Sequence, residues 1–113
     1  MKQIQIVIRP EKLDDVKKEL DALNVPGMMV WEIEGHGKQK GTVQQWRGEQ
    51  YKVDFLPKVK VEIVCLSQDL EKILTAVQAA AFTGGVGDGK IFVSDITEVV
   101  RIRTKERGEK ALV

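Results

Sequence analysis

The chain has 113 residues, 42% of them hydrophobic and 31% charged, the make-up of one soluble globular domain with room for a single core. A formal net charge of +1 argues against a nucleic-acid partner, which needs a clear basic excess. One cysteine excludes an internal disulfide and points to a reduced, cytoplasmic setting; no apolar stretch approaches the roughly 20 residues of a membrane span, and the charge and proline of "MKQIQIVIRPEK" come too early for a signal peptide.

The elements follow in chain order. Ile4, Ile6 and Ile8 alternate with Gln3 and Gln5, the period of a strand. Pro10 suits the first turn of a helix, and Leu13, Val16, Leu20 and Leu23 form its apolar stripe. "NVPG" stops that helix. "MMVWEIEG" is a second strand, with Met29, Trp31 and Ile33 on one face and Glu32 and Glu34 on the other. After a long polar segment the pattern returns: Val59, Val61, Ile63 and Cys65 alternate with Lys60 and Glu62. A second helix carries Leu70, Ile73, Leu74, Val77 and Ala81 on one stripe, with Ser67 expected as its N-cap. A glycine-rich stretch leads into a fourth strand, "KIFVSDI", and "VVRIRT" reads as a last extended segment.

Strand-helix-strand thus occurs twice. The predicted fold is α+β: a ferredoxin-like split β-α-β sandwich, with a four-stranded antiparallel sheet and both helices on one face. The other face stays open and carries Val7 and Val64. An exposed apolar sheet face marks an association surface, so a homo-oligomer is expected.

Two segments exceed what this fold needs. Residues 36–58 are long for a connection in so small a domain. They are polar, but hold Trp46, the only tyrosine, Tyr51, and Phe55, with glycines at 37, 41 and 48. Large aromatics of this kind favour a mobile contact loop over a hairpin folded back on the body. The second segment is "TGGVGDGKIFV". Gly84 to Lys90 has the G-x-x-x-x-G-K spacing of a phosphate-binding P-loop, but Ile91 lacks the Mg²⁺-binding hydroxyl and a strand follows where a helix should. Glycine amides can still form an anion nest beside Lys90. Arg101 and Arg103, two apart, would project from one face of a strand. On the residues alone, a glycine-rich turn with solvated cations nearby accounts for the stretch slightly better than a phosphate site.

Taken together, "TGGVGDGKIFV", "VVRIRT", "VDFLPKVKVEIV", "IRPEKLDDVK" and "GHGKQKG" resemble the PII (GlnB/GlnK-type) nitrogen-regulatory signalling proteins, from about residue 1 to 112 without a gap. The resemblance implies a trimer of ferredoxin-like subunits that binds ATP or ADP in the clefts between them. A T-loop, here about 37–55, would engage target proteins. The glycine-rich phosphate loop would be about 82–90 and the C-terminal segment about 101–113. Carried over, the nucleotide-binding residues are Gly35, Gly37, Lys38, Glu62, Val64, Gly87, Asp88, Gly89, Lys90, Arg101 and Arg103, the last two from the neighbouring subunit. Gln39, Lys40, Gly41 and Lys58 would bind 2-oxoglutarate, with Gln39 also on the Mg²⁺ that accompanies ATP. The implied partners are an ammonium channel, which would recruit a cytoplasmic chain to the membrane, glutamine synthetase or its regulators, and nitrogenase control.

Several positions depart from the family pattern. Met29 stands for a threonine that contacts adenine, Lys38 for an arginine near the phosphates, and Phe82 for an arginine beside the glycine loop. A thioether donates no hydrogen bond, and lysine lacks the bidentate fork of arginine. The loop reads "WRGEQY": Tyr51 occupies the uridylylated position of some relatives, and Glu49 replaces the serine phosphorylated in others. The expected protein is a non-enzymatic sensor. A small ATP-hydrolysing enzyme finds little support, because the only histidine, His36, lies between glycines and no nucleophile-base pair suggests itself. A purely structural ferredoxin-like scaffold leaves Lys90, Arg101 and Arg103 without a role.

Overall fold

In a computed structural model, the described residues are 1–37 and 55–113, together with the backbone of 43–46 and 49–52. Strand β1 (Lys2–Ile8) leads through a short 3-10 turn at Pro10–Lys12 into α1 (Leu13–Ala22). Proline fits that turn because it gives up an amide that the first turn leaves unpaired anyway. Strand β2 (Met29–Gly35) follows, then the paired segments β3 (Val43–Trp46) and β4 (Glu49–Lys52), the long β5 (Leu56–Cys65), α2 (Leu70–Ala81) and β6 (Lys90–Asp95). A single helical turn, α3 (Glu109–Leu112), ends the chain.

The main sheet is antiparallel throughout in the order β2-β5-β1-β6, the ferredoxin-like arrangement. Side-chain alternation divides its two faces. Ile4, Ile6 and Ile8 of β1 and Val59, Val61, Ile63 and Cys65 of β5 are all buried beneath the helices. Val16 and Leu20 of α1 and Ile73, Val77 and Ala81 of α2 close over them. Each such aliphatic side chain contributes roughly 1.5–3 kcal/mol on burial. This face holds the domain together.

The opposite face is open. Its residues follow from register: Met29 lies across from Glu62, Trp31 from Lys60 and Ile33 from Lys58, while Gln5 pairs with Phe92 and Val7 with Lys90. Met29 is 55% exposed and Phe92 52%, too much apolar area for a finished surface. Trp31 is capped by the Lys60 ammonium, 4.7 Å from the ring centroid, which shields part of it. Among the described residues no helix is long and apolar enough to cross a membrane.

Two local expectations need correction. Ser67 does not cap α2 with its side chain; the N-cap of the 3-10 turn before it is Leu66, and the Ser67 hydroxyl accepts a 3.0 Å hydrogen bond from the Met1 ammonium. "VVRIRT" is not a strand. Val100 and Arg107 form an isolated antiparallel bridge, and the chain between them turns back on itself: the Arg101 amide donates to the Glu106 carbonyl at 2.9 Å and the Lys105 amide to the Arg101 carbonyl at 2.8 Å. Lys105 takes a positive φ of 63° to make that turn.

Candidate functional site

The site grows from the connection between α2 and β6. Phe82 ends α2 in an extended conformation, and the chain then needs left-handed residues, which Gly84, Gly87 and Gly89 supply at φ of 91°, 104° and 104°. Gly89 has a second reason to be glycine. A Cβ there would stand 1.7 Å from the Val7 carbonyl oxygen, so the loop lies directly on the backbone of β1.

The loop is folded around its own acid. The Asp88 carboxylate accepts hydrogen bonds from the amides of Thr83 (2.8 Å) and Gly84 (2.9 Å), from the Thr83 hydroxyl, and from Arg9 Nε at 3.1 Å. Arg9 then reaches the Val86 carbonyl through Nη2 at 2.8 Å. The Thr83 hydroxyl and amide, followed by the Gly84 amide and Arg9, hold the Asp88 carboxyl well below the usual carboxylate range. On the other side, Lys58 of β5 donates from Nζ to the Gly87 carbonyl at 2.7 Å. Partial burial, then the nearby Arg9 charge, lower the Lys58 pKa, against the opposing pull of Glu11 and Asp88. Cations from β5 and from the residue after β1 therefore pin the loop before any ligand arrives.

The pinned loop forms one wall of an open cleft of about 660 Å³, within the usual size range of small-molecule sites. Gly35, His36 and Gly37, at the end of β2, form the facing wall. Lys58 and Lys90 project from β5 and β6, and Phe92, Leu56 and Val86 supply apolar surface. One end of the cleft is cationic and backbone-lined, the rest largely apolar. Such a cavity suits a ligand with a charged end and a flat or hydrophobic body.

Of the residues singled out in the sequence, the cleft gathers Gly35, Gly37, Lys58, Gly87, Asp88, Gly89 and Lys90. Asp88 faces inward, so its part is to shape the loop. Glu62 and Val64 lie on the open sheet face further along β5, where Gln3 donates to Glu62 and Val64 pairs with Gln3. Arg101 and Arg103 do not line this cleft of their own chain. The Arg101 guanidinium binds the Glu106 carboxylate at 2.8 Å and the carbonyls of Lys110, Ala111 and Val113, while Arg103 is exposed in the turn. Lys38, Gln39, Lys40 and Gly41 lie outside the described residues, as do positions 47–48 and 53–54 of the segment at 37–55, and Tyr51 is described only in its backbone, within β4.

Sequence reasoning missed Arg9 and Thr83, which organise the loop, and set His36 aside. A lone arginine after a strand carries no local signal of a partner 79 positions away. His36 could have been found, since a histidine between two glycines at the foot of a long loop is poorly suited to a core.

Fold and cleft define a class: small ferredoxin-like domains with a ligand-sized, glycine-walled pocket at the mouth of a long insertion. Comparison with known proteins makes this specific. The family model described as "Nitrogen regulatory protein P-II" matches residues 1–106. The chain is 50% identical over 112 residues to the nitrogen regulatory protein P-II of Rhizobium meliloti, covering 99% of this chain and 100% of that one. It is 48% identical to nitrogen regulatory protein P-II 2 of Methanothermobacter thermautotrophicus (99% and 97% covered) and 44% to nitrogen regulatory protein GlnK of Escherichia coli K12 (99% and 100%). The chain belongs to the P-II family, and is a signal-transduction regulator of nitrogen metabolism and not an enzyme.

Proposed function

We propose that the chain senses adenine nucleotides: three copies assemble with their open sheet faces inward, and each cleft takes ATP or ADP at its edge. The gathering of Gly35, Gly37, Lys58, Gly87, Gly89 and Lys90 around one cavity carries this reading. Lys90 and the glycine amides would meet the phosphates, because an anion replaces the water that a cation and bare N–H groups otherwise hold. Arg101 and Arg103 would arrive from a neighbouring copy. Ile102 between them is 94% exposed, an apolar side chain on a turn that no described residue covers. Glu62 and Val64 would lie near the adenine and ribose. Met29, across from Glu62, would leave base recognition looser than a hydroxyl would.

Mg²⁺ would enter on the phosphates of ATP and keep several of its waters, so it needs few protein ligands. Among the described residues no group of three His, Cys, Asp or Glu side chains could hold a metal ion. Gln39 is the proposed protein ligand, with 2-oxoglutarate held there and by Lys40, Gly41 and Lys58. The segment at 37–55 would present the ligand state to a target such as an ammonium channel, glutamine synthetase or its regulators, or a nitrogenase-controlling protein. Isothermal titration with ADP, then with Mg²⁺-ATP with and without 2-oxoglutarate, tests the reading, alongside light scattering for the trimer. Binding of neither nucleotide at high micromolar concentration, or a strictly monomeric chain, refutes it.

A further inference from the structure

The geometry points to His36 as a residue that touches the bound ligand: its imidazole donates a hydrogen bond to the phosphate chain of the nucleotide in the cleft, an inference that rests on the nucleotide reading of that cavity. His36 lines the cleft together with Lys58 and Lys90, so all three nitrogen-bearing side chains border one space. Its backbone is anchored, since the preceding Gly35 pairs with Leu56 at the end of the β2–β5 ladder. Its ring is oriented by Phe55, with centroids 5.5 Å apart and planes inclined at 45°. Contact of this kind uses ring surface and leaves the nitrogen edges open to other partners.

The environment favours an anion over a structural role. His36 is exposed, as is Phe55 at 58%, so the pair sits at a rim and contributes nothing to the buried core. Among the described residues Asp88 is the one acidic side chain lining the cleft, and its carboxylate already accepts from Thr83, Gly84 and Arg9. Among the described residues the imidazole has no hydrogen-bond partner, and the cleft offers it no free carboxylate. The phosphate chain that Lys90 and the glycine amides attract would supply the acceptor. Gly35 and Gly37 on either side keep bulk away from that approach. His36 would thereby add a directional donor to the mobile Lys90 ammonium and to Lys58, which the Gly87 carbonyl holds in place, favouring phosphates over a simple dicarboxylate.

His36 is the only histidine, so its ring nitrogens give one resolved set of NMR signals in the intact chain. ADP should shift those signals and adenosine should not. His36→Phe keeps a ring against Phe55 but removes the donor, and should weaken ADP binding about tenfold by calorimetry, the ratio expected for losing a hydrogen bond to a charged group. His36→Gln, which restores an N–H donor, should recover part of that loss. Circular dichroism confirms that each variant is folded. ADP binding by the unmodified chain with unmoved His36 signals, and equal affinity in His36→Phe, overturns this inference while the nucleotide reading stands. No ADP binding by the unmodified chain overturns both.

Discussion

Replacing Gly89 by alanine tests the architecture at its tightest point. The new Cβ would stand 1.7 Å from the Val7 carbonyl oxygen, 2.8 Å from the Val7 carbonyl carbon and 3.2 Å from Ile8 Cα. Real Cβ atoms essentially never come within 3.0 Å of another atom, so the backbone has to move by more than an ångström. All three atoms are main chain, and no side chain can swing away to relieve them. The φ of +104° adds strain of about 1–3 kcal/mol for any L residue. Separating loop and strand also endangers the pairing of Val7 with Lys90, where each lost backbone hydrogen bond costs roughly 0.5–1.5 kcal/mol. Together these predict a loss of about 3 kcal/mol or more, a large share of the 5–15 kcal/mol that holds a typical domain folded. Urea denaturation at matched protein concentration measures it, with Gly27→Ala as control: that Cβ meets nothing within 4 Å, and the variant should lie within about 0.5 kcal/mol of the parent. Equal stability of the two variants would refute the claim that the loop rests on β1.

Lys90→Ala should leave the fold intact, because the side chain is exposed, and should weaken ADP binding about tenfold to a hundredfold through loss of a charge-assisted contact; calorimetry with circular dichroism separates the two effects. Asp88→Asn should destabilise the chain at neutral pH. Because folding depresses the Asp88 pKa, the carboxylate's contribution is fully present above the ordinary value of about 3.9, shrinks as pH falls below it and vanishes below the folded value, so the stability gap between the two chains should close only in strong acid. Cys65 is buried, and burial pushes its thiol upward. Alkylation by iodoacetamide should be slow in the native chain and rapid in urea, and equal rates would show the core to be open.

The sheet and helices could be read from the sequence because their signals are periodic. Ile4, Ile6 and Ile8 alternate and are buried, and the stripe of Ile73, Val77 and Ala81 meets them from α2. Register then follows from which face must be dry. The tail misled for the same reason: Val100, Ile102 and the arginines alternate as a strand would, but no neighbouring strand of the described chain accepts them, and Lys105 and Gly108 at positive φ fold the segment into a turn. The site was half legible. Glycines that must reach φ near +100° are conspicuous by type, so Gly87 and Gly89 could be placed, whereas the direction of the Asp88 carboxylate depends on Arg9, which reaches it only once β1 and α2 are packed.

That direction also bears on how the cleft recognises charge. An acid within a phosphate loop would repel the ligand if it faced outward, and a loop without it would lose the acceptor that orders the Thr83 and Gly84 amides. Turning Asp88 inward onto Arg9 resolves both demands, because the pair is nearly neutral as seen from the cavity and leaves Lys58 and Lys90 to set its potential. Lys58 is itself committed to the Gly87 carbonyl, so it stiffens the loop while adding its charge. Lys90, pinned by no such bond to the loop, is then the side chain best able to follow a phosphate, and its removal should cost affinity without loosening the loop.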